Sequence, residues 1–159
     1  MAGYGDDTEF AAWLTARGYT LPDSAPDAAV LRERGSVYID GTYAERWPGT
    51  PTGGIDQERA WPRTGATDVY GNAIASNAVP TRVEHASYEA AWIEAGKPGS
   101  LGRTYTAAQD KVLTQVDKIK WEVVGDASGK GANVPVSTVI EGLLWPLLTS
   151  RIWSTVLAV

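Results

Sequence analysis

The chain has 159 residues, which suits one domain with arms better than two domains; 43% hydrophobic and 21% charged residues are the proportions of an ordinary soluble protein. With no cysteine and a single histidine, His85, a disulfide framework, a zinc-thiolate site, a thiol nucleophile and a histidine-rich metal centre are all excluded. A net charge of −5 argues against a general nucleic-acid binder, which needs a basic stripe to neutralise phosphates, and leaves room for DNA that merely passes by.

The opening residues, Met1 to Phe10, are acidic and polar, unlike a signal peptide. The longest apolar stretch, Leu143 to Leu148, is too short to cross a bilayer and contains Pro146. A soluble protein made in the cytoplasm, with no membrane contact, is expected. Asp6, Asp7 and Thr8 are N-cap candidates, Glu9 suits the first turn, Phe10, Trp13 and Leu14 share a helical face, and Gly18 is a stop, so a short first helix is predicted. After the turn Leu21–Ser24, Pro26 fits the first turn of a second helix. In that helix Leu31, Gly35, Tyr38 and Thr42 recur at helical spacing, with Arg32, Glu33, Ser36 and Asp40 elsewhere on the wheel. Gly35 in a helix interior costs about 1 kcal/mol against Ala, and its expected use is the close approach of another helix.

Residues 47 to 79 keep no period, yet they hold Trp47, Ile55, Trp61, Tyr70 and Ile74. That is the wrong composition for a solvated linker, and the segment reads as an ordered excursion pinned by its aromatics. Pro80 restarts a helix with Val83, Ala86, Ala90 and Ile93 inward, ended by Gly96 and Pro98. The small Ala86 and Ala90 match a neighbour carrying Gly35, so helices two and three should pack tightly with helix one across them. Ile119, Trp121 and Val123 alternate with Lys118, Lys120 and Glu122 as in a half-buried strand; Val112 to Val116 is either its hairpin partner or the tail of another helix. The expected organisation is a helical domain over 1–110 with its long loop at 47–79, a strand or hairpin over 111–125, a flexible linker over 126–136 and a C-terminal arm over 137–159. The fold class is mainly α, a bundle of three to four helices. In the arm, Thr138 and Glu141 have capping-box spacing and Pro146 should bend or end the helix. Its apolar strip is Val139, Ile140, Leu143, Leu144, Trp145, Leu147, Leu148, Ile152 and Trp153. Such a strip either folds back over the helices or is buried in another polypeptide, and the second is the expectation.

Catalytic chemistry finds no foothold. Gly125 to Lys130 lacks the Walker spacing and the hydroxyl residue after its lysine. His85 and Ser87, two apart, do not face each other on a helix. The acidic residues at 6, 7 and 9 are ordinary capping. Lys118 and Lys120 would point opposite to Trp121 in a strand, so they build no stacking platform with it. No catalytic, cofactor-binding or metal-binding residue is assigned, and the chain is not expected to be an enzyme.

One stretch, Gln57-Glu58-Arg59-Ala60-Trp61-Pro62-Arg63-Thr64-Gly65, resembles the Q-x-x-A-W-P-R-x-G core of a family of phage proteins often labelled DnaT-like single-stranded-DNA-binding proteins, whose members are similar to head–tail connector (adaptor) subunits of long-tailed phages. The resemblance continues through Gly71 to Ile74, Ala78-Val79-Pro80 and the following helix. Tyr38-Ile39-Asp40 with Tyr43 lies upstream; the strand Ile119 to Val124 and Leu143 to Leu148 lie downstream. In all it spans roughly residues 7 to 150. It implies a helical virion subunit in the head–tail neck, assembled as a ring, commonly a dodecamer, between the portal and a tail-side neck or tail-terminator protein. DNA would pass through without specific binding, and no cofactor would be present. The C-terminal strip would then meet the portal, while Trp47, Trp61, Pro62, Arg63, Tyr70 and Ile74 would anchor the loop or meet the neighbouring subunit. Deletion of 137–159 is expected to abolish portal binding and leave the helical domain folded. The alternative is a single-stranded-DNA-binding module, which would show salt-dependent affinity.

Overall fold

The computed structural model describes residues 2–102 and 137–149. Among the described residues the fold has four helices and a small two-stranded sheet: α1 (Asp7–Arg17), α2 (Ala28–Tyr43), α3 (Thr81–Gly96) and α4 (Thr138–Leu144), with β1 (Thr50–Pro51) antiparallel to β2 (Arg63–Thr64). Single 3₁₀ turns follow α2 at Ala44–Arg46, sit between the strands at Gly54–Asp56, and follow α4 at Trp145–Leu147. The mainly α expectation holds, but the described sheet lies inside the excursion. The strand expected at 119–124, its possible partner at 112–116 and the linker at 126–136 lie outside the described residues.

Local chemistry accounts for the helix ends. Asp6 caps α1 by accepting from the Glu9 N–H at 2.8 Å, and Gly18 closes it in the left-handed conformation at φ 66°, its N–H reaching back to the last turn. α2 starts at Ala28 with Asp27 in the cap position, so Pro26 stands just outside the helix rather than in its first turn. Ser137 precedes α4 and makes no side-chain cap bond, so the expected Thr138–Glu141 box does not form. The Glu141 carboxylate is drawn instead to Arg46, 3.1 Å away.

The centre of the molecule is the α2–α3 pair. A Cβ on Gly35 would collide with the Ser87 carbonyl and press on Ala91, so only glycine allows this approach. The small residues of α3 that meet Gly35 are Ser87 and Ala91, one position on from the predicted Ala86 and Ala90. Those two alanines face a different cluster, together with Val83, Ile140 and Leu144. α3 thus carries two adjacent stripes of small side chains, each serving its own neighbour. α1 covers the first side with Phe10, Trp13 and Leu14 against Leu31, Tyr88 and Ala91, and Tyr19 stacks on Trp92 with ring centroids 4.0 Å apart.

Arg32 and Ser36, expected off the core face, are buried. The N-terminal segment runs over them: Arg32 donates to the carbonyls of Tyr4 and Gly5 at 3.1 and 2.7 Å and pairs with Asp7 at 2.8 Å, while the Tyr4 N–H donates to Ser36 Oγ at 2.9 Å. Their polar groups are therefore satisfied inside the protein, which is the condition for burying them.

Candidate interaction surface

The excursion is folded by polar staples. Arg63, which ends the Trp-Pro-Arg motif, is buried and donates to three backbone carbonyls: Pro48 at 2.7 Å, Gly49 at 2.7 Å and Ala60 at 3.0 Å. Gln57 donates to the carbonyls of Arg59 and Pro62 at 2.7 and 3.0 Å and accepts from the Gly53 N–H at 2.7 Å. Trp61 is 1% exposed and packs edge-on to Trp47 at 5.8 Å. The Trp61 backbone N–H donates to the Tyr4 hydroxyl, which donates in turn to Asp40. Arg59 pairs with Asp40 at 3.6 Å. Burial raises the Asp40 pKa above its usual value, opposed by the Tyr4 hydroxyl and other partners. The residues of the Q-x-x-A-W-P-R-x-G stretch thus build the loop.

Beyond β2 the chain makes a tight turn. The Ile74 N–H returns to the Ala66 carbonyl at 2.9 Å, Thr67 bridges Ala73, and Asp68 Oδ1 accepts from the N–H groups of Tyr70 and Asn72, each at 2.9 Å. These bonds, the Asn72 side chain foremost, hold the Asp68 pKa below the usual carboxylate value. The turn carries Tyr70 at its tip, 71% exposed.

The C-terminal element meets that turn. Ile140, Leu144, Leu147 and Leu148 are buried in the same cluster as Tyr43, Trp47, Trp61, Val83, Ala86 and Ala90. At its edges the Thr149 N–H donates to the Arg46 carbonyl and the Val69 N–H to the Pro146 carbonyl, both at 2.8 Å. Arg82 reaches the Leu143 carbonyl at 3.3 Å. Trp145 is left 52% exposed, its ring edge-on to Tyr70 with centroids 6.2 Å apart. Val69 and Val139 are also exposed.

The structure therefore redistributes the sequence candidates. Trp47, Trp61 and Arg63 are interior, and Pro62 and Ile74 are half-buried. Of the arm, Ile140, Leu144, Leu147 and Leu148 are in the chain's own core, Leu143 is half-buried, and Val139 and Trp145 face outward; Ile152 and Trp153 lie outside the described residues. Residues 137–149 thus fold back over the helices of their own chain. A truncation at 137 would therefore remove four core side chains, Ile140, Leu144, Leu147 and Leu148. The surface that emerges is small and aromatic, built jointly by the tip of the excursion and the turn after α4. Large aromatics half out of the core and beside each other are the side chains that dominate protein contacts. Sequence reasoning had both rings but assigned them to separate surfaces; Val69, which ties the two regions together, and the Tyr4–Asp40–Arg59 group carried no local signal.

His85 lies beside the rings of Trp13 and Tyr88 at 6.3 and 6.2 Å, and burial lowers its pKa. Among the described residues no group of three His, Asp or Glu is placed to hold a metal ion, and no helix is long and apolar enough to cross a membrane.

The family described as “Putative DnaT-like ssDNA binding protein” matches residues 3–159. The chain belongs to that family. No curated protein and no solved structure matches it.

Proposed function

We propose that the protein is a non-enzymatic structural subunit of a tailed-phage neck, assembled as a ring on the portal, handing over to a tail-side protein, and passing DNA without holding it. The observation that carries this reading is the Tyr70–Trp145 pair, two large rings that the fold leaves largely in solvent at the junction of its two least regular regions. Single exposed apolar residues need no explanation, but a paired aromatic patch with the exposed Val69 next to it in the chain is a protein-contact chemistry. The net charge of −5 suits a channel through which phosphate must slide. Sedimentation of the full chain with and without purified portal tests it: the chain alone should run as a monomer or weakly associated species and move with the portal when mixed. A chain that never joins the portal would end this reading.

The family description favours a second reading, binding of single-stranded DNA, and exposed aromatics are also what nucleobases stack on. Around this pair, however, Asp68 holds a negative charge next to Tyr70, and Arg46 is engaged by Glu141. A nucleic-acid groove needs cations that track the backbone. Fluorescence anisotropy with a labelled oligothymidylate at low salt separates the two: affinity that falls with salt on a slope of several phosphates supports DNA binding, and a flat titration supports the structural role.

A further inference from the structure

A closed ring needs two unlike patches on each copy, since each subunit meets its neighbours head to tail. The aromatic pair is one. The other lies on α2. Counting about 100° per residue, Val30, Val37 and Gly41 point roughly 200–240° around the helix from Gly35, on the face turned away from the contact with α3. Val37 is 52% and Val30 38% exposed, and a Cβ built on Gly41 would meet nothing within 4 Å. Arg34 lies between the valines; one edge of its guanidinium reaches Glu94 at 3.4 Å, and about half the side chain stays in solvent.

We propose that the Tyr70–Trp145 pair of one copy docks on the Val30–Val37–Gly41 face of α2 in a second copy; the inference rests on the ring reading and assigns its subunit contact. Shape and charge both match. Two protruding rings meet a face with no side chain at Gly41 and only short valines beside it. The cation on this face is Arg34, half in solvent beside its pairing with Glu94, and its planar group can lie over Tyr70 or Trp145; the anion flanking the rings is Asp68, fixed by its hydrogen bonds to the N–H groups of Tyr70 and Asn72. Opposite charges at the rim fix orientation and register.

The absence of cysteine makes the test clean. Val37→Cys and Val69→Cys chains, which keep both rings, mixed in equal amounts on the portal or alone at high concentration and then oxidised, should give a Val37–Val69 cross-linked heterodimer in clear excess over either homodimer. Gly41→Trp should weaken self-association about tenfold or more, as loss of an interface centre does, with an unchanged or higher melting midpoint because the site is open within the chain. Homodimers in equal or greater yield would replace the proposed contact with a symmetric one, and ring assembly without the mixed cross-link would overturn the contact while sparing the ring. No self-association under any condition, portal included, would overturn both.

Discussion

The excursion at 47–79 and the C-terminal element at 137–149 are each rich in tryptophan or leucine, yet they are held in opposite ways. The excursion is fixed by side chains that hydrogen-bond to backbone: Arg63 to three carbonyls, Gln57 to two, Asp68 to two N–H groups. The C-terminal element is fixed by four buried aliphatic side chains, with a few bonds at its edge. A loop with no repeating ladder must satisfy its buried carbonyls one by one, and so depends on particular polar residues. A short helix that cannot persist alone needs a groove, and so depends on volume. Both regions then leave one aromatic outside, and the two aromatics touch.

This contrast can be broken by mutation. Arg63→Met should have the largest effect, about 4 kcal/mol or more, because three carbonyls lose charged donors at once. Hydrogen exchange should show the loss concentrated in 48–66, with α1 to α3 still protected; uniform loss would mean the staples are not what separates the regions. Leu144→Ala should cost about 3 kcal/mol by cavity formation, read from denaturant melts. A change below about 1 kcal/mol would mean that α4 contributes little to the core.

A smaller effect concerns two carboxylates whose pKa values move in opposite directions, Asp40 on α2 where it meets the excursion and Asp68 within the excursion. Asp40 has a raised pKa from burial, so its contribution to stability is complete below its ordinary value of 3.8 and is lost as pH rises through the raised value. Asp68 has a lowered pKa from its hydrogen bonds, so its contribution is present above 3.8 and is lost as pH falls through the lowered value. A carboxyl-carbon NMR titration should find Asp40 titrating above 3.8 and Asp68 below it; the reverse order would undo the account of the loop. Smallest of all, Tyr70→Ala and Trp145→Ala should each change stability by about 1 kcal/mol or less, since an exposed edge-on ring pair contributes little more than that.

The regular elements were legible because their signals are local. Asp6, Gly18, Gly96 and the spacing of Phe10, Trp13 and Leu14 define helix ends and faces without reference to anything distant. Gly35 announced a close helix, though not that Ser87 rather than Ala86 would meet it. The composition of 47–79 showed that it would be ordered, but not how, because Arg63 finds Pro48 and Gly49 only after the chain has turned back. Arg32 and Ser36 fall off the apolar stripe of α2 in the sequence, and nothing in the first six residues advertises that they run across that side of the helix. Leucines at 144, 147 and 148 read the same whether the groove that receives them belongs to this chain or another.

The most direct test of the central claim is sedimentation of the double variant Tyr70→Ala/Trp145→Ala with portal, alongside its thermal melt. The account predicts a chain that melts close to the wild type and no longer builds a complete ring on the portal. Full ring assembly by a normally folded double variant would contradict it.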